Sequence, residues 1–335
     1  MAKTILVTGA AGFIGSHAVE HLWRRGDCVV GLDNLNDYYD PARKEANLQE
    51  VIGQAKQENW NGEFQFVKGD IRDRNLLKEL FEKYTFDGII HLAAMAGVRV
   101  SIDDPELYYD VNVNGTLALL DGAVGRLRPT TSQRHAPTFV FASTSSVYGD
   151  TKIIPFIPED HCDRPLAPYA ASKRASELLG FTYHHLYKLD FTGLRFFTVY
   201  GPRGRPDMMA YKVLDNIFTG CEVPLYNNGN MHRDWTYVED IVAGLVRAVD
   251  RPLGYEILNL GRGEPVLLAD FVKGIECLAG RKAHLVPAPM LDADIAYTFA
   301  DISKTQKLLG YAPKVSVPEG VDRFWKWYQT AILRT

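Results

Sequence analysis

The chain predicts an α/β fold, a doubly wound parallel sheet with a smaller α/β unit attached. Three observations carry this. A glycine-rich turn near the N-terminus stands between an apolar run and a helical pattern; short, apolar, β-rich runs alternate with helical patterns through the first half; and after about residue 180 the pattern loosens into Pro- and Gly-rich loops. Strands alternating with helices imply parallel pairing, with helices covering both faces of the sheet.

The first strand is Thr4-Ile5-Leu6-Val7, followed by Val7-Thr8-Gly9-Ala10-Ala11-Gly12-Phe13-Ile14-Gly15 and the helical pattern Ile14, Ala18, Val19, Leu22. Gly9 permits a tight turn, Gly12 lets backbone approach a pyrophosphate, and Gly15 lets the helix pack close to the strand. Phosphates then meet unpaired N–H groups where Phe13 and Ile14 open the helix. The second strand, Cys28-Val29-Val30-Gly31-Leu32, ends in Asp33-Asn34. An acid there accepts from both ribose hydroxyls of an adenosine and repels a 2'-phosphate, so the expected cofactor is NAD, in a Rossmann-type arrangement.

The third strand, Gln65-Phe66-Val67, runs into Gly69-Asp70-Ile71, and the fourth, Gly88-Ile89-Ile90-His91-Leu92, runs into Ala93-Ala94. Both exits lie at carboxyl ends of strands, where open α/β sheets bind ligands. Asp70 is the candidate for the adenine amino group, with Ile71, Leu92, Ala93 and Ala94 beside it. His91 has no second ligand at a useful spacing, so it reads as a packed, hydrogen-bonded histidine and no metal site is expected. The fifth strand, Thr138-Phe139-Val140-Phe141-Ala142, ends in Ser143-Thr144-Ser145-Ser146-Val147-Tyr148-Gly149, a row of hydroxyls at the same edge. Next, in Tyr169-Ala170-Ala171-Ser172-Lys173, helical spacing sets Tyr169 and Lys173 on one face. An ammonium near a phenol favours the phenolate, giving a base, and the lysine can also bind a nicotinamide ribose.

The expected division is a cofactor domain over 1–180, with later segments returning to it, and a substrate domain over 181–335. The aromatic run Phe324-Trp325-Lys326-Trp327-Tyr328 continues a helical spacing from Val321 and reads as a docked terminal helix. A net charge of -4 over 335 residues, with no basic block, disfavours nucleic-acid or membrane-surface partners. The four cysteines are far apart, form no C-x-x-C pair and read as buried thiols. With no apolar run of membrane-spanning length and no signal-like lead, the expected location is the cytoplasm.

Together these motifs resemble the extended short-chain dehydrogenase/reductase family over almost the whole chain. Asp33-Asn34-Leu35-Asn36-Asp37-Tyr38-Tyr39-Asp40-Pro41, His91-Leu92-Ala93-Ala94-Met95-Ala96-Gly97-Val98-Arg99 and Gly204-Arg205-Pro206-Asp207-Met208 look most like UDP-glucuronate 4-epimerases. The resemblance implies that Tyr169 is the base, Thr144 bonds the sugar's 4-oxygen, and Lys173 binds ribose and lowers the tyrosine's pKa. It implies further that Arg233 holds a diphosphate, Tyr226 stacks on uracil and Asp294 takes the uridine ribose, although Met290-Leu291-Asp292-Ala293-Asp294 lacks the Gln and Gly that usually precede this aspartate. Related 4,6-dehydratases carry Asp-Glu after the threonine and related decarboxylases a nearby Glu, whereas this chain has Ser145-Ser146; these serines, with Thr198 and Arg205, would hold the sugar carboxylate. The expected reaction is 4-epimerisation of UDP-glucuronate through a 4-keto intermediate without loss of carbon dioxide. A UDP-glucuronate decarboxylase and a UDP-glucose/UDP-galactose 4-epimerase remain open on sequence alone. Similar proteins pair through two helices, here 105–124 and 169–189, so a homodimer is expected.

Overall fold

A computed structural model describes residues 2–127, 136–290 and 292–333. Its centre is a seven-stranded sheet. Six strands, β1 (Thr4–Thr8), β2 (Cys28–Asp33), β3 (Glu63–Lys68), β4 (Gly88–His91), β5 (Thr138–Thr144) and β6 (Phe191–Phe196), are joined by the strand Tyr255–Leu260. The spatial order is Tyr255–Leu260, β6, β5, β4, β1, β2, β3, and every neighbouring pair is parallel. Chain order reverses between β1 and β4. At that switch point the loops leaving the two strands part, and a crevice opens beyond their carboxyl ends.

Apolar layers cover both faces. On one, the helices Phe13–Arg25 and Val238–Asp250 pack through Val19, Leu22, Ile241 and Leu245 against Ile5, Val7 and Val29 of the strands. On the other, Leu77, Leu119, Phe139, Phe141 and Phe191 form the second core, closed by the helix Pro168–Tyr187. Strand β6, the strand Tyr255–Leu260 and the helix Val238–Asp250 all lie beyond residue 180 and belong to this large layer. A three-stranded sheet (Thr198–Tyr200, His232–Tyr237, Pro265–Leu267) and a two-stranded one (Glu222–Tyr226, His284–Ala288) make up the smaller part. The terminal helix Val317–Ala331, capped by the Ser316 hydroxyl, docks there through Val321, Phe324 and Tyr328.

Three expectations need correction. The segment expected as one regular helix over 105–124 is interrupted: Pro105–Tyr109 and Thr116–Ala123 are α-helical, and Asp110–Gly115 between them is a wider π-type turn. The second helix begins at Pro168, whose fixed φ suits a first turn, and stops at Tyr187 because Lys188 takes a left-handed conformation. Of the four cysteines, all free, Cys162 is buried and Cys28 half-buried, but Cys221 and Cys277 are exposed. Cys221 lies in the link between the helix Met209–Thr219 and the strand Glu222–Tyr226, and Cys277 on the outer face of the helix Leu268–Ala279, positions that apolar neighbours in sequence do not reveal. Among the described residues no helix is long and apolar enough to cross a membrane.

Candidate active site

The glycine turn is built as its chemistry requires. Gly9 has a φ of 70°, and a β-carbon there would lie 2.8 Å from the Ala93 backbone nitrogen. A β-carbon on Gly15 would lie 1.9 Å from the Gly9 carbonyl oxygen, so only glycine lets the helix sit this close to the turn. Gly12 caps the helix Phe13–Arg25 in an extended conformation without a side-chain cap, and no acidic residue occupies the first turn. The helix N-terminus therefore presents unneutralised N–H groups, as an anion requires.

Asp33, at the end of β2, is buried and accepts from the backbone N–H of Ala11 at 3.0 Å and of Leu35 at 2.9 Å. A carboxylate retains lone pairs beyond these two for a ribose diol. Asn34 donates to Asp70 at 3.0 Å, and Arg72 grips the same carboxylate, holding it down at about 2. Lys44, which spacing did not single out, donates to the Asn36 carbonyl at 2.7 Å and lies over the Tyr39 ring; burial lowers its pKa, and Asp33 pulls partly the other way. It reaches the crevice from the helix Pro41–Glu58, a tertiary approach with no local signature.

His91 is a core residue, 1 % exposed, between Thr8 at 2.7 Å and Thr116 at 2.9 Å. The Thr116 hydroxyl donates to the Asn112 carbonyl, so it accepts from His91 Nε2–H, and Nδ1 accepts from Thr8. Burial, then the charge of Lys173, pushes this imidazole well below its ordinary pKa, and it stays neutral. The π-type turn has a use here: Asn112 brackets Met95, accepting from its N–H at 2.8 Å and donating to its carbonyl at 3.0 Å, and donates to Ser172 at 2.9 Å. It thus pins the segment after β4 to the helix bearing Tyr169.

Tyr169, Lys173 and Glu177 form one stripe at intervals of four on the helix Pro168–Tyr187. Glu177 is fully buried; it accepts from Arg195 of β6 at 2.9 Å through each oxygen and from the Ser143 hydroxyl of β5. This anchors the helix on two strands. Removing one partner of a buried pair typically costs about 3–5 kcal/mol, so Glu177→Ala is expected to shift a denaturant midpoint sharply downward, whereas an exposed pair such as Lys326–Asp322 should matter little.

Lys173 donates to the Ala142 carbonyl at 2.9 Å, and burial pulls its pKa down to about 7. Burial raises the Tyr169 pKa, and what draws it back is first the Thr144 hydroxyl and then Arg205. The expected electrostatic help from Lys173 is therefore supplied by other groups, because its ammonium is committed to a strand carbonyl and weakened by its own desolvation. Thr144 also accepts from Ser146 N–H at 3.2 Å, capping the short turn Ser145–Tyr148.

These groups share one cavity of about 410 Å³. Its walls include Gly9, Gly12, Phe13, Ile14, Gly15, Asp33, Asn34, Asp70, Ile71, Leu92, Ala93 and Ala94 at one end, and Thr144, Ser145, Ser146, Tyr169, Lys173, Thr198 and Arg205 at the other. A second cavity of about 200 Å³ shares Val98, Ser145, Ser146 and Thr198 with the first and adds Arg233 and Asp294. The hydroxyl row is the junction. Arg233 is half-buried and donates to the His232 carbonyl at 2.9 Å; desolvation brings its pKa down to about 10, and the neighbouring Asp234 accepts from the N–H groups of Arg262, Gly263 and Ala300 to fix the strand. Tyr226 lines neither of these two cavities. Arg99 lies 3.5 Å over its ring and donates to Asp294 at 2.8 Å, so one side chain from the loop after β4 covers both residues expected at the nucleoside. Leu291, in the segment that departs from the family pattern, lies outside the described residues. Arg205 is bonded along its Nε–Nη2 edge to Asp207, at 2.9 and 2.5 Å, a partner that sequence reading passed over.

The profile of the GDP-mannose 4,6 dehydratase family matches residues 6–324. The chain belongs to this family, among the extended short-chain dehydrogenases/reductases. It is 43% identical to a UDP-glucuronate 4-epimerase of Thermodesulfobacterium geofontis, covering 96% of this chain and 95% of the relative. It is 41% identical to UDP-glucuronate 4-epimerase 4 of Arabidopsis thaliana, covering 97% of this chain and 75% of that one. Its fold is similar to the crystal structure of the Bacillus cereus UDP-glucuronic acid 4-epimerase in complex with UDP-glucuronic acid and NAD, with a TM-score of 0.84, 31% identity and coverage of 98% and 99% of the two chains.

Proposed function

We propose that this protein is an NAD-dependent nucleotide-sugar 4-epimerase that interconverts UDP-glucuronate and UDP-galacturonate. The observation that carries the reading is that two neighbouring cavities share the hydroxyl row: the glycine turn, Asp33, Tyr169 and Thr144 line one, the half-buried Arg233 and Asp294 line the other, and Ser145, Ser146 and Thr198 line both. The uncapped helix N-terminus, the space beside Gly12 and the free lone pairs of Asp33 fit NAD. When bound, NAD supplies the hydride acceptor and donor for carbon 4 of the sugar.

Tyr169 takes the 4-hydroxyl proton, and Thr144, whose hydroxyl lowers the Tyr169 pKa, holds the 4-oxygen so that the proton has one direction to go. Lys173, fixed on the Ala142 carbonyl, presents its remaining N–H groups to a ribose. Oxidation at carbon 4 gives a β-keto acid, which loses carbon dioxide when its carboxylate bond aligns with the ketone. Ser145, Ser146, Thr198 and Arg205 hold the carboxylate out of that alignment, and no Asp-Glu pair follows Thr144 to eliminate water. Arg233 holds the diphosphate while the sugar turns over, Asp294 takes the uridine ribose, and Tyr226 offers its ring to uracil once Arg99 leaves it. In this division residues 1–180, with the strands that return to the large sheet, hold the cofactor, and the remainder of 181–335 holds the nucleotide sugar. Incubation with UDP-glucuronate, following epimer ratio and carbon dioxide together, tests the proposal; carbon dioxide as the main product, or equal rates on UDP-glucose, would refute it.

Asp33→Ala is expected to weaken NAD binding by one or two charge-assisted hydrogen bonds, about 1.5–3 kcal/mol each. Isothermal titration should show it, together with poor NADP binding by the parent; equal affinity for both cofactors would remove Asp33 from the ribose.

A homodimer fits the surface. Leu178 and Phe181, one turn apart on the helix Pro168–Tyr187, are 52% and 51% exposed, and Tyr109, at the end of the helix Pro105–Tyr109, is 43% exposed. An isologous contact through these helices buries all three. Light scattering at micromolar concentration should give twice the 37.6 kDa chain mass, and Phe181→Glu should return it to the monomer value.

A further inference from the structure

The loop Gly201-Pro202-Arg203-Gly204-Arg205 carries Arg205 into the cavity, and it is held from behind by a buried polar joint. Arg203 adopts a φ of 57°, a left-handed conformation that costs a non-glycine residue free energy, so its contacts must hold it there. Its side chain is almost wholly buried. Nη2 lies 2.6 Å from His17 Nδ1 and pairs with Glu20, and Nε is 3.8 Å from Glu50, whose other oxygen accepts from Trp327 at 3.2 Å. His17 Nε2 lies 2.9 Å from the Pro202 carbonyl oxygen. A guanidinium only donates and a carbonyl only accepts, so His17 is a neutral imidazole in one tautomer, Nδ1 accepting from Arg203 and Nε2–H donating to Pro202. Burial and the Arg203 charge, which both lower its pKa, agree with a neutral ring.

We propose that His17 and Arg203 form a clasp that positions Arg205, so that the helix opening at the glycine turn also sets the geometry of the sugar-carboxylate subsite. This rests on the proposed reading that Arg205 meets a substrate carboxylate. His17 is a positioning residue: it stands one turn inside the helix Phe13–Arg25, it is not among the residues lining either cavity, and it reaches Arg205 through Pro202 and Arg203. At its far side the loop is fastened by the Arg205–Asp207 pair and by Tyr38. Asp207 and Tyr38 hold only the guanidinium, whereas His17 holds the backbone that carries it, so releasing the Arg203 end lets that backbone shift.

The test compares the full-length parent with His17→Ala, His17→Gln and Arg203→Gly. Trypsin cuts after Arg203 but not after Arg205, which precedes proline, so cleavage of the Arg203–Gly204 bond reads loop mobility in the His17 variants without reference to activity. Calorimetry with UDP, which has no carboxylate, reads the nucleotide subsite alone. In His17→Ala, cleavage should become several-fold faster, and kcat/KM on UDP-glucuronate should fall on the order of 10- to 10²-fold, mainly through KM, while UDP affinity stays that of the parent. His17→Gln retains a donor for Pro202 and should lie between. Arg203→Gly keeps the left-handed backbone and loses only the side chain, so it should reproduce the KM of His17→Ala, and the double variant should be no worse than either. If His17→Ala does not fold, the other two variants carry the same KM comparison. Folded variants with parental KM overturn the clasp, as does a lowered melting temperature with unchanged cleavage. A parent that binds UDP but does not turn over UDP-glucuronate overturns the functional reading instead, and the cleavage rates then decide the clasp by themselves.

Discussion

Tyr169→Phe should reduce turnover of UDP-glucuronate by about 10²–10⁴-fold, the usual range for general base catalysis, with fold and NAD content unchanged. The substitution deletes one oxygen from a helix that Glu177, Lys173 and the Asn112–Ser172 bond hold in place, and a phenyl ring keeps the edge-on contact with Tyr108. Burial favours the neutral phenol, so the active phenolate is a minority that grows as pH rises, and turnover should climb with pH through the neutral range. The Thr144 hydroxyl is the largest influence drawing that pKa down, so Thr144→Val should move the rising limb to higher pH as well as lower the rate. Single-turnover measurements, in which chemistry limits, check both. A Phe variant that kept most of the parental rate would show that the proton leaves by another route.

The second large effect is expected at Arg205. Arg205→Ala should lower kcat/KM on UDP-glucuronate by roughly 10- to 10²-fold, the value of one charge-assisted contact of about 1.5–3 kcal/mol, and leave NAD content as it was. Arg205→Lys should not restore it fully, since an ammonium is a point charge without a planar fork. Residual turnover should release more carbon dioxide per epimerisation, because a looser carboxylate reaches the cleavage geometry. The bond to Asp207 adds a prediction of opposite sign. A substrate carboxylate meets the guanidinium along its remaining edge or displaces Asp207, so Asp207→Asn should lower KM for the acid. The comparison of UDP-glucuronate with UDP-glucose, in parent and variants, decides. An acid preference that Arg205→Ala left unchanged would reduce Arg205 to a loop charge.

What the sequence determined by itself is whatever a single element encodes. The order of β1, turn and helix, the positions of Gly9, Gly12 and Gly15, and the carboxylate ending β2 are local patterns, and the structure places them along one crevice as read. The pairing of Tyr169 with Lys173 followed from helical spacing in the same way, and the packed state of His91 from the lack of a second ligand. Interactions between distant segments were decided only by tertiary structure. Glu177 lay one further interval of four along the same helix, yet its buried partners come from β5 and β6. Lys173 turned out to be bonded to a carbonyl of β5 and weakened by desolvation, so the pull on Tyr169 passed to Thr144 and Arg205. Arg99, Tyr226 and Asp294 stand far apart in sequence and meet in space, as do His17 and Arg203. Periodicity reports which face of a helix or strand is apolar. Which charge meets which, and how far burial weakens it, depends on what the rest of the chain packs against that face.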